Sequence, residues 1–266
     1  MNKLNSQGLI CGPEETSDVF HQRCSFFKQE VRLEKLLKEN LPKIAIMKHS
    51  SLSYPDLDLE IDWLFFFSSR KGLSTWEAAA TWTVEVEGVS IPVLQLKPPS
   101  KRINHQEILK HEAIHIVRSA FDEPIYEEFL AYAPSKSRWR RYFGPIFRSP
   151  KEAVTFVLLS FIPLVSVWTS LPLELWFIPL GVFFAFLLGR LFYYHHLFNQ
   201  ALSNIKKLFN LSSPLKIALR LTDKEIFLFA SSTPKEMKEY IENRQDLRWR
   251  QILASYEFYC PENDKI

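Results

Sequence analysis

Between Ala153 and Gly189 the chain carries a single charged residue, Glu174. A stretch that apolar can be buried in only two ways, inside a very large core or inside a bilayer, and a chain of 266 residues has little room for the first. Two segments stand out, Ala153–Thr169 and Leu175–Tyr193, separated by Ser170-Leu-Pro-Leu-Glu174. Each approaches the ~20 apolar residues that cross ~30 Å of hydrocarbon. Trp168, Trp176, Tyr193 and Tyr194 stand near the ends, where amphipathic rings favour the membrane interface. Pro163 and Pro179 are tolerable in such helices. The pattern predicts a two-span hairpin over residues 152–195.

Charge gives the hairpin an orientation. Residues 1–134 hold 15 Lys and Arg against 19 Asp and Glu, whereas residues 135–151 hold six basic residues and no acid. Arg190, Lys206 and Lys207 follow, and the turn between the segments has no basic residue. Positive charge is retained on the cytoplasmic side, so both termini are expected there. The basic block (Lys136, Arg138, Arg140, Arg141, Arg148, Lys151) suits anionic lipid headgroups. A nucleic-acid partner is not expected, because the N-terminal segment is net acidic. The first dozen residues are polar and carry no signal-like apolar run.

On this basis the chain divides into an N-terminal domain (1–134), a basic linker (135–151), the hairpin (152–195) and a helical C-terminal domain (196–266). In the first of these, periodicity predicts a helix over 27–41 ended by Pro42. Alternation predicts strands at 57–63 and 81–87, with a return strand at 91–97 after the turn Gly88–Ser90. Pro92 points to a sheet edge for that return strand, unless it falls at the strand's very start. Helices follow at 106–121 and 125–133. Farther on, Thr222…Glu225 and Thr233…Glu236 are capping-box patterns, and Asp246 can cap a helix over 247–258. The fold class is therefore α+β.

Seven glycines and the absence of G-x-G-x-x-G or G-x-x-x-x-G-K-[ST] exclude the common nucleotide-binding loops. Three scattered cysteines (Cys11, Cys24, Cys260) form no C-x-x-C pair, which argues against a disulfide scaffold and a thiolate zinc site. The chemistry concentrates instead in His111-Glu112-Ala-Ile-His115. Histidines four apart share one helix face and can converge on one ion, and Glu112 can reach a water held there as general base. A catalytic zinc usually takes three protein ligands, and a second helix carrying Glu127-Glu128-Phe-Leu-Ala131 begins a short turn later. Adjacent glutamates differ by about 100° around a helix, so one of the two is the ligand.

These residues resemble the gluzincin metallopeptidases, in which an HExxH helix is followed by a glutamate helix. The resemblance covers about residues 55–133 and implies a zincin-like N-terminal domain. It also implies Zn²⁺ on His111, His115 and Glu128, with Glu112 as general base, and a peptide or protein substrate bound along an edge strand. The oxyanion stabiliser is open between Tyr126, Tyr132, Arg118 and His105. Arg118 has a second reading, as a partner of Glu127 or Asp122. The G-A-M-E-N-like element of exopeptidases is missing, so endopeptidase action is expected. The sequence as a whole therefore reads as a membrane-anchored zinc metallopeptidase. The alternative is a non-catalytic membrane adaptor with a structural or vestigial zinc site.

Overall fold

Residues 2–41, 44–48, 51–73, 77–98, 105–168 and 172–258 are described by a computed structural model of the chain. Helix α1 (Asn2–Ser6) precedes α2 (Ser17–Lys28) and α3 (Glu30–Asn40). The helix expected over 27–41 is thus broken at Gln29, whose backbone leaves the helical region at φ −92° and ψ 61°. The break lets each segment bury its own apolar stripe, Phe20, Phe26 and Phe27 in α2 and Leu33 and Leu37 in α3. Pro42 lies outside the described residues.

Six strands follow: β1 (Met47–Lys48), β2 (Leu52–Tyr54), β3 (Leu59–Ile61), β4 (Phe65–Ser68), β5 (Ala79–Val86) and β6 (Val89–Leu96). β2 and β3 form a small hairpin, and the other four make one mixed sheet in the order β1-β4-β6-β5. β5 and β6 are joined by Glu87 and Gly88, both at positive φ (52° and 77°), the signature of a two-residue hairpin turn. The position of Pro92 corrects the expected layout. Its strand is internal, parallel to β4 and antiparallel to β5, and β5 is the edge. Pairing with β4 begins only at Val93, so the missing proline N–H costs no bond on that side.

The remaining chain is helical: α4 (His105–Val117), α5 (Glu127–Tyr132), α6 (Arg138–Phe143), α7 (Pro150–Phe161), α8 (Leu173–Trp176), α9 (Ile178–Phe209), α10 (Leu215–Ala218), α11 (Asp223–Ser231), α12 (Pro234–Glu242) and α13 (Leu247–Ser255). The two apolar segments differ from one another more than the hairpin pattern implies. The first is α7 followed by a 3₁₀ run, Ile162–Trp168, rather than one continuous α-helix. Pro163 has no N–H for the Leu159 carbonyl, and the chain tightens there. The expected turn residues Ser170 and Leu171, with Thr169, lie outside the described residues.

The second segment belongs to a helix that continues well past Tyr193. Among the described residues, one helical segment, Glu174–Phe209, is long and apolar enough to cross a membrane, and only 11% of its most apolar window is buried in the fold. A core helix would be covered; this one is bare along Ile178, Val182, Phe184, Phe186 and Phe192. Its far half is the opposite, with Phe198, Ala201, Ile205 and Leu208 in the core.

Both capping boxes form, on Thr222–Glu225 and Thr233–Glu236, and Asp246 caps α13 through the Trp249 N–H. The sequence boundaries divide the chain, but residues on either side of the apolar region share one hydrophobic core. Gln251 of α13 accepts from Cys11 N (3.0 Å) and donates to Leu9 O (2.8 Å), and Asn5 donates to Ser255 Oγ (2.8 Å). At the centre of the C-terminal helices Glu225 is buried. It accepts from both terminal nitrogens of Arg248 (2.7 and 2.8 Å), from Trp249 Nε1 (2.7 Å) and from Thr222 N (2.8 Å). Burial alone would raise this carboxyl, but the Arg248 bonds and charge, with the other donors, hold it below the ordinary value of 4.5.

Removing one partner of a buried pair strands the other charge, so Glu225→Ala should lower unfolding free energy by about 3–5 kcal/mol in detergent denaturation. Because the folded-state pKa is depressed, the wild-type contribution is complete above about pH 4.5 and should fade as the pH falls below it. A variant equal in stability to wild type would contradict the role.

Candidate metal centre

Nothing breaks α4 between His105 and Val117, so His111 and His115 stand one turn apart on a single face. The chain then reverses through Asp122, which takes the left-handed conformation at φ 48°, and enters α5. That entry is fixed from the C-terminal segment. Asp223, the first residue of α11, accepts from Ile125 N (2.7 Å) and Tyr126 N (3.0 Å), and Glu123 accepts from Asp223 N (3.1 Å). A carboxylate beside the start of a helix also interacts favourably with its dipole.

The geometry separates the adjacent glutamates. Glu128 turns to the histidine face: its carboxylate oxygens lie 3.7 Å from His111 Nε2 and 3.6 Å from His115 Nε2, and the two Nε2 atoms are 3.2 Å apart. All three donors fall within 4.8 Å of one another, and His111, His115 and Glu128 could hold a metal ion. Glu127 turns away, accepting from His115 Nδ1 (3.0 Å) and from Arg118 Nε (2.6 Å). With Nδ1 so engaged, His115 leaves Nε2 as its ligand atom, a carboxylate–histidine arrangement that fixes tautomer and ring orientation. Nδ1 of His111 is buried beside the Ala131 carbonyl without completing a hydrogen bond, so its Nε2 is likewise the atom turned to the centre.

The protonation states are pulled apart by their surroundings. Burial, reinforced by the neighbouring His115 and Arg140 charges, pushes the His111 imidazole down to about 3 and keeps it neutral. For His115 burial acts the same way, but the Glu127 hydrogen bond and the charges of Glu127, Glu128 and Glu112 outweigh it and raise the group. Burial raises Glu128 and Glu112, each partly relieved by His115. Burial would also raise Glu127, yet Arg118 and His115 together hold it below the ordinary range. Glu112 accepts from Thr81 Oγ1 (3.1 Å), which ties α4 to the edge strand β5.

The four candidates for charge stabilisation part company. Arg118 is wholly buried on its side chain and spends Nη1 on the carbonyls of Leu219 (2.6 Å) and Leu221 (3.1 Å), so it positions Glu127. Tyr126 is buried among Tyr194, Phe198 and Phe227, away from the ligand face. The side chain of His105 lies outside the described residues. Tyr132 stays at the centre, its ring 4.4 Å from that of His111. Burial, with the charges of Glu128 and Glu112, raises its hydroxyl and keeps it a donor at neutral pH. Gly144 permits that position, since a Cβ there would come within 2.5 Å of the Tyr132 ring. Thr81 and the carbonyls of Leu219 and Leu221 were not singled out in the sequence; these contacts cross 31 to 103 residues and leave no local signal.

Comparison of the chain with family models, with curated proteins and with solved structures finds no match.

Glu127 supplies no ligand atom, so its role is separable. Glu127→Ala should weaken metal binding about 10–100-fold in chelator competition while leaving stoichiometry unchanged at saturating metal. Unaltered affinity would remove Glu127 from the account. In the wild type, His115 is raised above 6.5, so proton competition should cut apparent affinity as the pH falls through neutrality.

Proposed function

We propose that this chain is a membrane-anchored zinc metallopeptidase that cleaves within extended polypeptide. The observation that carries the reading is the spacing of the three donors. Ligand atoms ~2.0–2.1 Å from a tetrahedral zinc stand about 3.3–3.4 Å apart; here the two Nε2 atoms are 3.2 Å apart, each lies 3.6–3.7 Å from a different oxygen of Glu128, and with one atom taken from each residue the three fall within 4.8 Å. Two neutral-capable imidazoles and one carboxylate are also the donor set of a catalytic zinc with one open position. The ion, when bound, supplies Lewis acidity to a carbonyl and acidifies water.

The chain's own residues do the rest. Glu112 adjoins the ligand helix face and is the group to accept a proton from attacking water and return it to the leaving amine. Its raised carboxyl suits that exchange, and Thr81 holds one of its oxygens. Tyr132 packs its ring on His111, and its hydroxyl, raised and therefore protonated, is the donor for charge developing on the carbonyl oxygen. β5 offers a free strand edge running past Thr81, and main-chain pairing to it would hold a substrate in extended form with little demand on sequence. An edge strand of eight residues can pair with a chain that continues past both of its ends, which favours internal cleavage.

For the anchor, the reading is a two-span hairpin with both termini cytoplasmic. α7 and the 3₁₀ run together reach ~32 Å at 1.5 and 2.0 Å per residue. Glu152 of α7 pairs with Arg190 of α9 (2.5 Å), which neutralises the one acid–base pair on these segments.

Glu112→Gln should keep its zinc and lose at least about 10²-fold in turnover of a quenched fluorescent peptide library, since the base contributes 10²–10⁴. Equal turnover in variant and wild type would end the peptidase reading.

A further inference from the structure

Helix α9 changes character within a turn. Up to Tyr193 it keeps a bare face (Ile178, Val182, Phe184, Phe186, Phe192 and Tyr193) beside a buried pair, Leu187 and Leu191, and from Phe198 onward it turns into the core through Phe198, Ala201, Ile205, Leu208 and Phe209. The bilayer boundary therefore falls close to His195, which is only ~3 Å along the axis from Tyr193. Two elements dock at that level. Phe129, the residue after Glu128, sets its ring 4.8 Å from that of His195. The Tyr142 carbonyl of α6 accepts from His195 Nε2 at 2.8 Å.

α6 has the make-up of an interfacial helix. Trp139 is 74% exposed and stacks on Phe143 at 5.1 Å, Tyr142 is half exposed, and Arg138 and Arg141 flank them. Aromatic rings with arginines beside a bare apolar helix belong at the headgroup level. The same short helix is joined to the metal centre: Arg140 binds Glu107 of α4 at 2.7 Å and lies 5.8 Å from the Tyr132 ring, which packs on His111. One aromatic ring separates a metal ligand from the residue that follows Trp139.

We infer that the substrates are membrane-anchored polypeptides, cut in the extended segment that leaves the bilayer on the cytoplasmic side. The inference rests on the peptidase reading and adds a location to it. The headgroup layer is ~5–8 Å deep and an extended chain advances ~3.3 Å per residue, so about two to three residues clear it, and a reach of about ten residues (~33 Å) bounds the position of the scissile bond. Anchoring both partners in one membrane raises their effective concentration, which offsets weak, sequence-tolerant pairing along β5.

The test is new-N-terminus profiling of membranes from cells expressing the full chain or its Glu112→Gln variant. Termini that depend on Glu112 should fall mostly within about ten residues of a transmembrane span, on its cytoplasmic side. Glu112-dependent termini scattered through soluble proteins or distal domains would overturn the inference and leave the peptidase reading intact. Finding no Glu112-dependent termini would overturn both.

Discussion

The geometry of the candidate metal centre depends on one buried guanidinium. Arg118 has no exposed side-chain surface, and a charge so placed must be compensated. Glu127 compensates it, and because the same carboxylate also takes the Nδ1 proton of His115, the arginine sets the orientation of a metal-facing ring. Its other bonds go to the carbonyls of Leu219 and Leu221, so the ring is aimed only when the C-terminal segment has docked. Asp223, two residues on, completes the dependence by holding the start of α5, and with it Glu128. A group whose three candidate ligands lie between residues 111 and 128 is thus assembled by residues a hundred positions away.

What could be read from the sequence follows from this. The His111–His115 pair is local geometry, fixed by the helical period, and the capping boxes are local chemistry; both were legible. The two glutamates were legible as a pair but not as separate roles, because a 100° difference says that they diverge and not which one meets the histidines. Arg118 was open between pairing and catalysis until Leu219 and Leu221 appeared beside it. The edge of the sheet was open for the same reason, between an edge strand and a proline at the strand's start. Pro92 forbids a ladder bond, but whether a neighbour needs that bond depends on where β4 starts, which is a tertiary fact. Gln29 shows the converse: an unbroken amphipathic period hid a helix break that burial of two separate stripes makes favourable.

The apolar region taught a different lesson. Hydropathy alone marks two segments, Ala153–Thr169 and Leu175–Tyr193, yet α9 is a single helix that is bare over most of its first half, Leu187 and Leu191 apart, and packed into the core through its second. Tyr126 and Phe129 of the glutamate-helix region pack on it at the changeover, through Tyr194, His195 and Phe198. The apolar helix and the His111–His115–Glu128 group are therefore packed together through shared aromatic contacts rather than joined by a tether.

The central claim is that His111, His115 and Glu128 hold one zinc ion. It is tested most directly by elemental analysis of detergent-purified protein, wild type against Glu128→Ala, with folding of both checked by circular dichroism. The account requires one zinc per chain in the wild type and little or none in the variant after mild chelation. A well-folded wild type without zinc, or a variant that retains the full complement, would contradict it.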